Sequence, residues 1–253
     1  MKWFTLLTLS CLIAGRSTIA DTQPADAESP PVIYMIGDST MCNYSLAKNN
    51  PQKGWGQLLP EFVKDDVKVE NRAAGGRSSR SFVNEGRWAK IMETLKPGDW
   101  VVIQFGHNDQ KKKKPALYTD PQTDYRTYLA GFINDTRAKG ANPVLATSIY
   151  RRYFDDEGTP KNTVGRYPQA TREVAEAMKV PVVDLSKLTG EMLTEAGVEN
   201  SKKLFLHFEP GEHPLFPTGR HDNSHLSETG ARAVAKDFTD ALRILDIGFP
   251  IKP

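Results

Sequence analysis

Residues 32–40 read Val32-Ile33-Tyr34-Met35-Ile36-Gly37-Asp38-Ser39-Thr40. Five apolar residues run together and stop at a glycine and an aspartate. A continuous apolar run predicts a strand covered on both faces, and hence a parallel sheet. The pattern recurs at 67–71, 100–105, 143–149 and 180–185, which predicts four more strands. Helix spacing fills the gaps. Apolar residues at Trp55, Leu58, Leu59 and Phe62 predict a helix over 55–64. Further helices are predicted over 86–95, 125–139, 167–178, 186–196 and 226–245. Strands alternating with helices predict a doubly wound α/β sandwich. The sequence shows no internal repeat and no linker, so 32–253 is expected to be a single domain.

The composition agrees with a globular chain. Its 253 residues are 39% hydrophobic, 25% charged and 9% aromatic, with a formal net charge of +2. These values exclude disorder, collagen, coiled coil or a multi-span membrane protein as descriptions of the whole chain. A nucleic-acid footprint would need a clear basic excess, so no nucleic acid is expected as partner. Two cysteines cannot build a disulfide framework or a four-thiolate zinc site.

The N-terminus has the pattern of an export signal. Lys2 precedes an apolar run from Trp3 to Ala14, and small and polar residues lead to Ile19-Ala20-Asp21. A membrane span needs about 20 apolar residues, so no anchor is expected. Residues 1–20 are read as a signal peptide and 21–31 as a disordered leader. The protein is expected to be secreted or periplasmic. Cleavage after Ala20 takes Lys2 and Arg16 from the 33 basic residues and none of the 31 acidic ones. The remaining chain is formally neutral and keeps one thiol, Cys42.

Ligands of doubly wound sheets bind at the carboxyl ends of the strands. Strand one ends in Gly37-Asp38-Ser39-Thr40, strand two in Gly75-Gly76-Arg77-Ser78, and strand three in Gly106-His107-Asn108-Asp109. Asp222-Asn223-Ser224-His225 precedes the last helix. Ser39 is expected at a helix N-terminus, where negative charge is favoured. Alone, its motif also fits a plain capping turn or a phosphate-binding turn. His225 can take a serine proton, and Asp222, three residues earlier, can hold its other nitrogen. Asp222 can equally cap the helix expected from Leu226. Gly76 and Asn108 can supply donors to a developing oxyanion. They also fit an ordinary turn and a loop cap.

Together these blocks resemble the SGNH (GDSL) hydrolase superfamily, and in finer pattern its rhamnogalacturonan acetylesterase-like family. The stretches that carry the likeness are 34–41, Gly54-Trp55-Gly56, 71–82 and 105–109, with Asp222-x-x-His225. The likeness spans roughly residues 32–245. It implies a flavodoxin-like, three-layer α/β/α fold on a five-stranded parallel sheet. By position it implies Ser39 as nucleophile, His225 as base and Asp222 as its orienting partner. It implies an oxyanion hole of the Ser39 and Gly76 amides and the Asn108 side chain, with no cofactor and no metal. The implied substrate is acetylated polysaccharide or oligosaccharide, rhamnogalacturonan before xylan. Residues 204–220 follow bacterial more than fungal members.

Other classes of function compete with this reading. His207, His213, His221 and His225 lie close enough in sequence for a zinc site. No pair has helical His-x-x-x-His spacing, and Pro210, Pro214 and Pro217 make the stretch a loop. Trp55, Trp88, Tyr44 and Tyr153 would serve a non-catalytic sugar-binding protein, although both tryptophans fit a core. Asp38 and Asp109 sit at strand ends, as a glycosidase pair would. Each also suits a carboxylate that ties its own loop. Arg77, Arg80, Lys111 and Arg151 flank the strand ends and are expected to contact an acidic polymer through a locally positive cleft. The alternative for the lysines at 111–114 is a solvated loop.

Overall fold

A computed structural model describes Met1 and residues 30–253. Apart from Met1, the expected signal peptide lies outside the described residues, as does all but the end of the expected leader.

Five parallel strands form one sheet: β1 (Val32–Gly37), β2 (Lys68–Asn71), β3 (Trp100–Gln104), β4 (Asn142–Ala146) and β5 (Val182–Val183). Their spatial order is β2-β1-β3-β4-β5. The order reverses between β1 and β3, and that crevice is where such sheets bind ligands. Side chains alternate along each strand and feed two separate cores. Ile33 and Met35 pack on one side of the sheet with α1 (Trp55–Leu58), α6 (Leu185–Asn200) and α7 (Glu228–Leu245). Tyr34 and Ile36 pack on the other with α2 (Ser79–Asn84), α3 (Arg87–Met92), α4 (Asp124–Ala138) and α5 (Tyr167–Met178). The result is the three-layer α/β/α sandwich expected from the sequence.

Several elements differ from expectation for local reasons. The helix expected over 55–64 is a single α-turn that tightens into a 3-10 turn, Leu59–Glu61, where Pro60 lacks an amide donor. α2 was not expected. It is only six residues long, and it starts at a capping box in which Ser78 and Ser81 satisfy each other's amides. α7 begins at Glu228, because the Ser227 hydroxyl, not Asp222, accepts the Gly230 amide and caps it.

The main departure lies at 204–226. An antiparallel pair, β6 (Phe205–Phe208) and β7 (Arg220–Leu226), stands where a loop was expected. Its register breaks once. Phe205 faces Leu226, but Leu206 already faces Asp222. One step on β6 therefore spans four on β7, and Asn223, Ser224 and His225 bulge out of the ladder. Among the described residues no helix is long and apolar enough to cross a membrane.

Candidate active site

The turn after β1 presents Ser39. Met41 and Cys42 both donate to the Asp38 carbonyl, which winds the chain through one tight turn. No helix follows it, so Ser39 does not sit at the helix N-terminus expected from the sequence. The turn is held in other ways. Asp38 is fully buried, and its Oδ1 accepts from the Thr40 amide and hydroxyl, each at 2.9 Å. Its Oδ2 lies 3.2 Å from His107 Nδ1, and His107 Nε2 donates to the Ile149 carbonyl at 3.0 Å. Burial opposes the Asp38 charge, but His107 and Thr40 outweigh it and hold the carboxyl below its ordinary range. The Tyr44 hydroxyl donates to the Ser39 carbonyl at 2.8 Å, a contact that the sequence did not suggest.

The bulge in β7 brings the partners. His225 Nε2 lies 3.2 Å from Ser39 Oγ, across 186 residues of sequence. His225 Nδ1 lies 2.8 Å from Asp222 Oδ2. Asp222 Oδ1 accepts the amides of Ser224 and His225 at 2.9 and 3.0 Å, which closes the bulge on itself. Asp222 thus orients His225 through side chain and backbone together. Burial opposes its charge, but the His225 and Arg220 bonds and these two amides prevail, and the carboxyl lies well below its usual range.

The other two expected oxyanion donors, Gly76 and Asn108, stand on two further loops. Gly76 takes a φ of +80°, and a Cβ there would meet nothing within 4 Å. Asn108 is buried. Its Nδ2 donates to the Arg77 carbonyl at 2.9 Å, and its Oδ1 accepts from Lys111 Nζ. An acceptor on one side and a donor on the other leave the amide a single orientation. Asp109 ties the two loops together. It accepts from the Ser79 amide and hydroxyl, the Gly106 amide and the Thr119 hydroxyl, all inside the protein.

Ser39, Asn108 and His225 open into a cavity of about 460 Å³, with Lys111, Arg151 and Tyr153 on its walls. The other two expected substrate contacts are not there. Arg77 pairs with Glu85 and donates to the Gly75 carbonyl. Arg80 pairs with Asp124. Both guanidiniums are drawn to carboxylates outside the cavity. Among the described residues Arg151 has only carbonyl and hydroxyl partners, Thr163 and His107.

The competing groupings separate in space. Trp55 and Trp88 are buried in the two cores, whereas Tyr153 is 45% exposed at the cavity. Asp38 and Asp109 are both fully buried and consumed by internal bonds, so neither can flank a sugar bond. His207 Nε2 faces Asn223, and His213 Nδ1 accepts from the Leu215 amide. Among the described residues no three His, Cys, Asp or Glu side chains gather as a metal site.

A serine, an aspartate and a histidine in this order along the chain, on this sheet, invite comparison with known proteins. The pattern of the GDSL-like Lipase/Acylhydrolase family matches residues 35–233. The chain belongs to that family. It is a carboxylic ester hydrolase of the GDSL type. It is 40% identical to the rhamnogalacturonan acetylesterase RhgT of Bacillus subtilis, over 89% of this chain and 94% of the relative. It is 48% identical to a rhamnogalacturonan acetylesterase of Emericella nidulans, over 96% of this chain and 91% of the relative. Among solved structures, protein YxiM of Bacillus subtilis matches with a TM-score of 0.75 at 30% identity. That match covers 87% of this chain and 58% of the longer YxiM chain.

Proposed function

We propose that this GDSL hydrolase is an exported serine esterase that removes O-acetyl groups from an acidic cell-wall polysaccharide, acetylated rhamnogalacturonan first. The observation that carries the reading is the chain of contacts from Asp222 through His225 to Ser39, at 2.8 and 3.2 Å, facing a cavity that also holds Arg151. The two acetylesterase relatives support the substrate class.

The reaction runs in two steps. His225 Nε2 takes the Ser39 hydroxyl proton as Oγ attacks the acetyl carbonyl carbon. The carbonyl oxygen becomes an oxyanion between the Ser39 and Gly76 amides and Asn108 Nδ2. The tetrahedral adduct collapses, and the sugar oxygen leaves with the proton from His225. Water then attacks the acetyl-serine with His225 again as base, and acetate departs as Ser39 regains its proton. Arg151 receives a uronate carboxylate of the polymer, since its guanidinium has no carboxylate partner among the described residues.

Ser39→Ala and His225→Ala test the mechanism. Each abolishes 4-nitrophenyl acetate hydrolysis in folded protein, and near-wild-type rates in either would sink it. Acetate release from acetylated rhamnogalacturonan, pectin and xylan tests the substrate. Release from the acidic polymers falls steeply with salt and release from xylan does not. Equal salt responses, or a preference for xylan, would point to a neutral substrate. Mass spectrometry of the mature N-terminus in culture supernatant and periplasm tests export.

A further inference from the structure

The structure assigns to Arg152 the part of a positioning residue: its guanidinium sets the bulge that carries Asp222 and His225. The inference rests on the serine-esterase reading of Ser39.

Arg151 and Arg152 are neighbours with opposite destinations. Arg151 lines the catalytic cavity, while Arg152 turns into the protein and is only 8% exposed. A buried cation ordinarily has a carboxylate beside it. Among the described residues Arg152 forms no ion pair. Its Nε donates to the Ser201 hydroxyl at 3.0 Å, Nη2 to the Val198 carbonyl, and Nη1 to Asn223 Oδ1 at 3.1 Å. Its charged end also lies over the Phe154 ring at 5.6 Å. All these partners are neutral, and burial lowers the guanidinium below its ordinary value. Desolvating a charge among neutral acceptors is costly, so the gain lies in what the fork holds together. A planar guanidinium with fixed donor directions can brace three segments at once. Here it joins the end of α6 and the turn after it to the β7 bulge.

Asn223 is the target. It follows Asp222 directly and stands two residues before His225. Its backbone carbonyl accepts the Arg152 amide at 2.8 Å. Its Oδ1 accepts from Arg152 and from His207 Nε2, the latter at 2.8 Å. The bulge is thus gripped from two sides. The Asp222 carboxylate collects the Ser224 and His225 amides from within, and Arg152 and His207 hold Asn223 from without. A bulge has no ladder bonds of its own to fix it, so these side chains set where His225 points. A displacement of about 1 Å at a catalytic base is enough to cost about 100-fold in rate.

The test compares Arg152→Met, Arg152→Lys and Asn223→Ala with the parent protein on 4-nitrophenyl acetate, a substrate with no carboxylate to recognise. Arg152→Met is expected to lower kcat about 10- to 100-fold with KM changed less than about two-fold. Arg152→Lys, a point charge that reaches one acceptor, recovers part of the loss. The double variant Arg152→Met/Asn223→Ala is no slower than the slower single variant, because both act through one contact. If Arg152→Met does not fold, Asn223→Ala carries the test with its own fall in kcat. An unchanged kcat in folded Arg152→Met or in Asn223→Ala, with only a lower thermal midpoint, overturns the proposal. Losses that multiply in the double variant overturn it too. Ser39→Ala alongside separates the two readings. An inactive Ser39→Ala beside a fully active Arg152→Met defeats this proposal alone, whereas an active Ser39→Ala defeats the serine mechanism and this proposal with it.

Discussion

Arg220 Nη2 stands 2.6 Å from Asp222 Oδ2, the same oxygen that faces His225 Nδ1. The guanidinium also lies over the Phe216 ring at 5.0 Å, so an aromatic face holds it beside the carboxylate. Two donors share one carboxylate oxygen, and one of them carries a permanent charge. Arg220 is one of the groups that keep Asp222 below its ordinary pKa. Arg220→Gln removes the charge, so the Asp222 carboxyl rises and begins to protonate at higher pH. The acid limb of kcat/KM moves to higher pH, while the rate at about pH 8 stays within about three-fold of the parent. The sign follows from Asp222 being required as the anion. Superimposable rate profiles from acid to neutral pH would show that Arg220 has no part in the site's ionisation.

Lys111 is committed to Asn108 Oδ1, so its ammonium helps fix the amide that the proposed mechanism turns on the oxyanion. Burial, then the charges of Lys114 and Arg151, lowers its pKa. Lys111→Met keeps the apolar stem and drops the donor. The Asn108 amide is then held only from its Arg77 side, and kcat on 4-nitrophenyl acetate falls about 10-fold, part of the loss for removing an oxyanion donor outright. Arg151→Met leaves that neutral substrate untouched and raises KM for the acidic polymer. A Lys111→Met effect confined to KM on the polymer would make Lys111 a substrate contact and not a clamp.

The sequence was most informative where burial on both faces forced apolar runs, as in β1 and β3. It was also informative where chemistry needs several residues close together, as in Asp222-x-x-His225. It was silent on β7, because a strand that bulges at 223–225 shows no alternation of apolar and polar residues. α2 was hidden by its length and by a serine-serine capping box. Nothing in the sequence singled out the places of Arg152 and Arg220, since nothing local distinguishes a guanidinium that will be buried against Asn223 or laid on Asp222. Arg77 and Arg80 failed as cavity residues for the converse reason. Their partners, Glu85 and Asp124, become neighbours only through the fold.

Two glycines of the site separate backbone strain from steric conflict. Gly106 has a φ of +139°, and a Cβ there would stand 2.2 Å from Ser148 Oγ, which donates to the Phe105 carbonyl at 2.6 Å. Gly106→Ala therefore overpacks a buried turn and costs about 2–4 kcal/mol, read as a lower thermal midpoint. Gly76→Ala meets no atom within 4 Å and carries only the strain of its φ of +80°, about 1–2 kcal/mol. It folds, but its amide turns from the oxyanion and kcat falls more than the midpoint does. Equal losses of stability in the two variants would refute the distinction.

Asp109 gives the stability of the protein a pH dependence of unusual sign for a carboxylate. Burial pushes its carboxyl up to about 6, against the pull of the Ser79 and Thr119 bonds. The folded state therefore binds this proton more tightly than the unfolded chain does, where an aspartate titrates near about 3.9. Its contribution is complete below about pH 4 and is lost as pH rises through about 6, a swing on the order of 3 kcal/mol. Asp38 acts in the opposite sense and in a different window. Its pKa is lowered, so its contribution is present above the unfolded value and is lost as pH falls below it. Between about pH 4 and 6 the Asp109 slope thus stands alone among these two. Asp109→Asn removes the titration. It also leaves either the Ser79 or the Gly106 amide without its acceptor, which lowers overall stability by about 1–3 kcal/mol. Thermal midpoints of parent and variant, measured at intervals from pH 4 to 7, are expected to converge as pH rises. Parallel curves across that range would show that Asp109 does not change protonation there.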